Sequence, residues 1–289
     1  MHIAPLTEFV CPIDGAPLIA AAGGFACASR HAFDRAREGY VNLLPAQHKA
    51  SRDPGDSREM VTARRRVLER GSYTTLADRV ASIAVARASI ADRARPFRIV
   101  DAGCGEGYYL DRMARALAAE TNDASVQLAG IDISKWAVRA AAKRGMPAAF
   151  AVASNRRLPF ASGSVDLILS LFGFPSWEGF AAVQAAGGQV LLADPGSEHL
   201  IELREVIYPS VTRSGPPALD AAVAAGYGLA DEQRVVYRTD LDSQAAIQDL
   251  LAMTPHAHRM APAGRAALEH VQQLTVTIDV VLRDLRRRT

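Results

Sequence analysis

Short apolar runs separated by helical stripes set the order of the chain. Phe97, Ile99 and Val100 form a buried-strand pattern that runs into the glycine cluster Gly103, Gly105 and Gly107. Leu110, Met113, Ala114 and Leu117 then share one face of a helix expected over 110–119. The pattern continues with a strand at 126–132, a helix at 136–144, and strands at 149–152, 164–170 and 187–193. Helices are expected at 200–207 and 219–225, a late strand at 234–237 and an amphipathic helix at 243–253. Residues 268–285 fit either a strand pair or a helix. Upstream, Met60, Ala63, Val67 and Leu68 stripe a helix capped by Asp56 or Ser57. A second helix starts at Ser72 or Thr74 and ends near Ala94, ahead of Pro96. Strand, glycine turn, helix, strand is the pattern of an α/β fold, a doubly wound sheet that binds its ligand beyond the carboxyl ends of its strands.

Composition narrows the class. A chain of 289 residues, 49% hydrophobic, has material for one large domain or two smaller ones. A net charge of +2 does not advertise a nucleic-acid partner, although Arg64–Arg66 and Arg286–Arg288 are local basic clusters. No apolar run approaches membrane-spanning length, and residues 18–28 lack the basic segment that precedes a signal-peptide core. Three cysteines do not suggest a disulfide framework. A cytoplasmic protein without a membrane partner is expected.

The glycine cluster carries the first chemistry. Asp101-x-Gly103-x-Gly105-x-Gly107 is neither the G-x-G-x-x-G dinucleotide fingerprint nor a phosphate loop, which needs Lys followed by Ser or Thr. It resembles motif I of the class I S-adenosylmethionine-dependent methyltransferases. That resemblance implies that the glycines admit the methionine part of the cofactor and that Asp101 lies near its ammonium group. Asp132 ends the next strand, where a carboxylate can accept both ribose hydroxyls; otherwise it caps the helix that opens at Ile133 and Ser134. Ser154 and Asn155 would lie against the adenine, or form an ordinary polar turn. Tyr109, Ile133 and Leu171 complete the cofactor-lining set that the resemblance implies.

Residues 9–40 carry a second pattern. Cys11, Asp14, Cys27 and His31 have the spacing of a zinc knuckle, with Asp where the first pair usually has its second Cys. Zinc accepts a carboxylate oxygen, so the four could hold a tetrahedral ion. The alternative is a decayed knuckle kept by packing of Val10, Phe25 and Phe33. Gly15 and Gly23-Gly24 fit the turns of a short hairpin in either case.

Longer runs make the resemblance specific. Arg30-His31-x-Phe33-Asp34, Arg37-Glu38-Gly39-Tyr40-Val41-Asn42-Leu43-Leu44-Pro45, Gln47-His48-Lys49 and Ser51–Ser57 resemble the large-subunit ribosomal RNA guanine-N1 methyltransferases, some linked to macrolide resistance. The likeness continues through Met60, Arg64, the glycine loop, Asp132–Lys135, Leu158-Pro159-Phe160 and Met253-Thr254-Pro255, nearly the whole chain. It implies a zinc module (1–45), a helical link (46–96) and a cofactor-binding domain (97–289), often dimeric. Two departures stand out: Asp14 in the zinc set, and Leu171–Trp177 in the loop after the fourth strand, where target-base contacts are expected.

Guanine N1 carries a proton, so that acceptor needs a base or stabilisation of charge on O6. Asp56 is a candidate base, and Arg64 or His48 a candidate donor to O6. Phe172, Phe174 and Trp177 could stack on a flat heterocycle or pack as core. Arg58, Arg65 and Arg66, off the apolar stripe, read as a solvated face or as phosphate contacts. The leading reading is N1-methylation of a ribosomal guanine. Its competitors are a small-molecule N-methyltransferase acting on a purine-like heterocycle, which Asp14 and the Phe172–Trp177 loop favour, and a non-catalytic RNA-binding protein.

Overall fold

The backbone follows the period of its apolar positions closely. The computed structural model describes residues 1–45, 53–91, 94–120 and 123–288. Strand β1 (His2–Pro5) precedes a small antiparallel sheet of β2 (Ile19–Ala21), β3 (Gly24–Ala26) and β4 (Ala32–Asp34), and β5 (Val41–Asn42) follows it. Helices α1 (Arg58–Glu69) and α2 (Thr74–Ile90) lead into β6 (Phe97–Ala102), α3 (Tyr108–Ala119), β7 (Ser125–Asp132), α4 (Lys135–Ala142) and β8 (Ala149–Val152). Next come β9 (Val165–Leu171), α5 (Trp177–Val183), β10 (Gln184–Pro195), α6 (Ile201–Ile207) and α7 (Asp220–Ala224). The chain closes with β11 (Tyr227–Leu241), α8 (Gln244–Ala252), α9 (His256–Arg259), α10 (Pro262–Glu269) and β12 (Leu274–Arg287).

The main sheet runs β11-β12-β10-β9-β6-β7-β8-β5, with β1 also paired to β7. Strands β10 through β5 are parallel, while β12 is antiparallel to both β10 and β11. Chain order reverses between β6 and β9, so the crevice of a doubly wound sheet opens beyond Ala102 and Leu171. Ile99, Val100, Leu128 and Ile168 are fully buried, as strands covered on both faces require. Leu110, Met113 and Leu117 dock α3 on this sheet with no exposed surface, each burial stabilising by about 1.5–3 kcal/mol.

Two helix starts are capped by serine, Ser57 as the sequence allowed and Ser134 where Asp132 was the candidate. Ser57 Oγ accepts the Met60 amide and Ser134 Oγ the Ala137 amide, both at 3.3 Å. The tail departs from either sequence reading: α10 ends at Glu269, and the rest is one long strand rather than a strand pair or a helix. Val276, Ile278 and Val280 are fully buried, and their β-branched side chains suit a pleated surface. The small three-stranded sheet is tied to the large one on both sides. β1 pairs with Ser125–Leu128, β5 pairs with Ala151 and Val152, and Phe9 packs on Phe160 at 5.5 Å.

Candidate active site and metal centre

Beyond Ala102 the chain turns through Gly103, Gly105 and Gly107 at φ of 104°, 55° and 84°. L side chains avoid this left-handed region, so the turn selects glycine. A Cβ on Gly103 would meet nothing within 4 Å, so open space faces the backbone there. A Cβ on Gly107 would stand 3.0 Å from that of Ala141, so glycine also lets α3 begin hard against α4.

Asp101 is 1% exposed, and its Oδ1 has no hydrogen-bond partner among the described residues. Burial, reinforced by the nearby Asp132 carboxylate, pushes its pKa up to about 7. Ser170 Oγ, buried near the end of β9, is also without a partner among the described residues. Leu169 pairs with Asp101 across the ladder, so the two orphaned atoms sit on neighbouring strand ends. Each unmade bond costs about 1–3 kcal/mol, a cost that a bound group able to donate would relieve. Asp132 is held differently. Its oxygens accept the Gly105 amide at 3.0 Å and the Ser134 amide at 2.8 Å, which fixes the carboxylate and leaves lone pairs for two hydroxyls. Burial nevertheless raises its pKa.

The remaining cofactor-lining candidates lie at the ends of the elements around the glycine turn. Tyr109 is in the first turn of α3, Ile133 follows β7, and Leu171 ends β9. Ser154 Oγ accepts the Arg156 amide and so starts a short 3₁₀ turn, Asn155–Arg157. Asn155 Nδ2 lies 3.3 Å from the Ala102 carbonyl and 3.5 Å from that of Phe174. An orphaned carboxylate oxygen, an open glycine cradle and a fixed acid at the end of β7 together fit S-adenosylmethionine.

The linker closes over the glycine loop. Arg64 on α1 pairs with Asp56, approaches the Met253 carbonyl at 3.4 Å, and comes within 3.6 Å of a Cβ placed on Gly105. The Asp56 carbonyl accepts the Ser134 hydroxyl at 2.7 Å. Both candidates are therefore at the crevice, bound to each other. His48 lies outside the described residues. Arg65 and Arg66, read as a solvated face or as phosphate contacts, both find acidic partners within the protein. Arg65 pairs with Glu69, and Arg66 and Arg70 both grip Asp249 of α8, which docks α1 on that helix.

The three aromatics after β9 separate. Phe172, at φ 56°, is 37% exposed, and Phe174 is 94% exposed. Trp177 does not join them: it opens α5 and packs on Phe180 and Tyr227, with ring centroids 6.0 and 5.2 Å away. Its stacking role is corrected to core packing, because the helix begins with Trp177 turned into the sheet. Two residues missing from the sequence reading border the site instead. The Tyr73 ring stands edge-on to Phe172 at 6.0 Å, and the His199 ring lies 5.8 Å from Phe172 at 31°. Tyr73 reads locally as a helix boundary. His199 carries no local signal beyond its place just after Pro195-Gly196, a pair that breaks regular structure.

In the small sheet, Cys11, Asp14, Cys27 and His31 bring one donor atom each to within 4.8 Å of one another. Cys27 Sγ is 3.4 Å from His31 Nδ1 and 3.5 Å from Asp14 Oδ2, and Cys11 Sγ is 3.5 Å from His31 Nδ1. A tetrahedron with metal–ligand bonds of about 2.0–2.3 Å has edges of about 3.3–3.8 Å, so the spacing suits zinc. Asp14 takes the corner left by the missing thiolate. The Ala16 amide, as the largest influence, lowers its pKa and keeps it anionic.

No helix among the described residues is long and apolar enough to cross a membrane. Residues 9–52 match the family model described as "RlmA, N-terminal", a zinc ribbon, and residues 99–196 match "Methyltransferase domain". A Bacillus subtilis (strain 168) relative, YxjB, is 33% identical with 94% of each chain covered; it is provisionally named a 23S rRNA (guanine-N(1)-)-methyltransferase. A Micromonospora griseorubida relative with the same provisional name is 31% identical over 100% of this chain and 99% of its own. The Streptomyces fradiae 23S rRNA (guanine(748)-N(1))-methyltransferase is 36% identical, covering 68% of this chain and 66% of its own. With the parallel sheet, the glycine loop and the ribbon in place, the chain is an S-adenosylmethionine-dependent methyltransferase belonging to the 23S rRNA (guanine-N1)-methyltransferase family.

Proposed function

We propose that this enzyme methylates N1 of a guanine in large-subunit ribosomal RNA. The relatives' names point to that substrate, and one observation carries it to this chain: the acceptor side of the crevice is an open, basic, aromatic rim. Phe174 stands 94% exposed beside the turn that presents Arg156 and Arg157. Both arginines are exposed, with no acidic partner among the described residues. An exposed ring flanked by free guanidinium groups suits splayed bases and phosphates.

In this reading Asp101 receives the cofactor's ammonium group and Asp132 its ribose hydroxyls. Gly103, Gly105 and Gly107 admit its chain, and Tyr109, Ile133, Ser154, Asn155 and Leu171 line the crevice. When bound, S-adenosylmethionine supplies an electrophilic methyl group, so placing the acceptor in line with it accounts for much of the rate. Asp56 takes the N1 proton, and Arg64 faces the negative charge developing on O6; their ion pair opens as the base enters. Phe172 and Phe174 stack on the target and its neighbour. Zinc on Cys11, Asp14, Cys27 and His31 fixes the ribbon. The enzyme works in the cytoplasm, and the family resemblance carries a homodimer into the reading, which sedimentation of the holoprotein tests.

The test is methyl transfer from labelled S-adenosylmethionine to unmodified ribosomal RNA, with zinc measured on the same preparation. Label mapped to a guanine N1 is the expected result. Tight cofactor binding with no RNA labelling would refute the substrate and turn attention to small heterocycles.

A further inference from the structure

Two non-glycine residues at the acceptor side hold left-handed backbone, Phe172 at φ 56° and Leu200 at φ 53°. They come from different loops, one after β9 and one after β10, and both are pinned. The Phe172 amide donates to the Ala193 carbonyl and the Leu200 amide to the Thr277 carbonyl, each at 2.8 Å. Strain of this kind persists only where the surroundings over-determine it, and it collects at ligand sites. Here it brings the Phe172 ring against His199, the residue just before Leu200.

His199 is itself held. Its Nδ1 accepts the Asp279 amide at 3.2 Å, which leaves the ring proton on Nε2, 3.4 Å from the Tyr73 hydroxyl. Burial drops its pKa to about 4, with His256 and Arg204 pushing the same way and Asp279 opposing, so the ring is neutral. Tyr73 is 2% exposed, its edge against Phe172 and its hydroxyl oxygen accepting the hydrogen bond from His199 Nε2–H. The result is a ring half open to the crevice on one side and backed on the other by two side chains that hydrogen-bond each other.

We infer that Tyr73 and His199 are positioning residues that hold the Phe172 ring as the platform on which the target base lies during methyl transfer. They touch neither cofactor nor acceptor; they fix the plane against which the base is aligned. This rests on the ribosomal RNA reading, and it places specificity for a flat base in a three-ring assembly spanning the linker, β9 and the loop after β10. Misalignment lowers turnover far more than cofactor binding, because in-line geometry is what the reaction needs.

The test is a mutant cycle read as kcat and KM on unmodified ribosomal RNA, with S-adenosylmethionine affinity and thermal midpoint alongside. Phe172→Ala is expected to lower kcat/KM for RNA by tenfold or more, with cofactor affinity within twofold of wild type. Tyr73→Phe and His199→Ala are each expected to lower kcat several-fold. His199→Gln, whose amide still donates, is expected to recover part of the loss. In the Phe172→Ala background, Tyr73→Phe is expected to have no further effect, because it acts through that ring. Losses that add independently of Phe172 would overturn the inference. So would a Tyr73→Phe enzyme with unchanged kcat and KM beside an active wild type, which leaves the substrate reading standing. Wild-type protein that labels no ribosomal RNA would overturn both.

Discussion

Replacing Asp101 by Asn is expected to stabilise the apoprotein while crippling it. The carboxyl is 1% exposed with one oxygen unpartnered, and burial lifts its pKa to about 7. An unfolded chain would titrate it near 3.9. The native apoprotein therefore holds this proton more tightly than the unfolded chain. The group's contribution to stability is greatest below about pH 4 and is lost as pH climbs to about 7. A shift of about three units corresponds to about 4 kcal/mol at neutral pH, an upper bound because relaxation around Asp132 reduces it. Asn cannot ionise, so Asp101→Asn escapes the penalty. The assay is urea unfolding of both apoproteins between pH 5 and pH 8. The gap between them is expected to widen by about 2–3 kcal/mol across that range. Cofactor binding moves the other way: a bound ammonium group requires the ionised form. Wild-type affinity is expected to fall about tenfold per pH unit below about 7, and Asp101→Asn to bind at least about tenfold more weakly at pH 8. Parallel stability curves for the two proteins would refute the reasoning, since they would mean the buried carboxyl carries no shifted proton.

Three further outcomes follow from other parts of the molecule. Asp14→Cys is expected to keep zinc under a chelator challenge that strips the wild type, and Asp14→Ala to lose it sooner than either, read by metal analysis after dialysis. Arg156→Gln with Arg157→Gln is expected to lower the dependence of log affinity for single-stranded RNA on log salt by about 1.4, about 0.7 for each lost phosphate contact; an unchanged slope places the contacts elsewhere. Gly107→Ala must hold φ 84° with its new methyl 3.0 Å from Ala141, and a loss of about 1–3 kcal/mol in thermal or urea unfolding is expected.

The sequence disclosed the parts whose information is local. Strand runs such as Phe97–Val100 and a cap such as Ser57 work through neighbours a few residues away, so they could be read directly. The glycine loop declared itself because its backbone allows little else. Long-range pairing stayed hidden. Arg66 looked equally fit for solvent or phosphate, because its partner Asp249 lies far along the chain and comes to rest beside α1 only in the folded protein. Trp177 fell in the right loop for stacking, but Phe180 and Tyr227 supplied a better apolar surface. Tyr73 and His199 meet only once the sheet is assembled, 126 residues apart, and nothing around either announces the other.

The ribbon's two flanks, β1 and β5, are strands of its neighbour's sheet, and this bears on how its metal site could drift. A free-standing ribbon depends on its ion for cohesion, so a weakened ligand is exposed to selection at once. Here the larger sheet already holds both flanks, so little loop-closure entropy is left to overcome, and Phe9 packs on Phe160 as well as on Phe25. Asp14 in place of a thiolate is then expected to lower metal affinity without costing the fold. The architecture thus acts as scaffolding around a joint under repair, giving the ligand set room to change while the surface it displays stays in place.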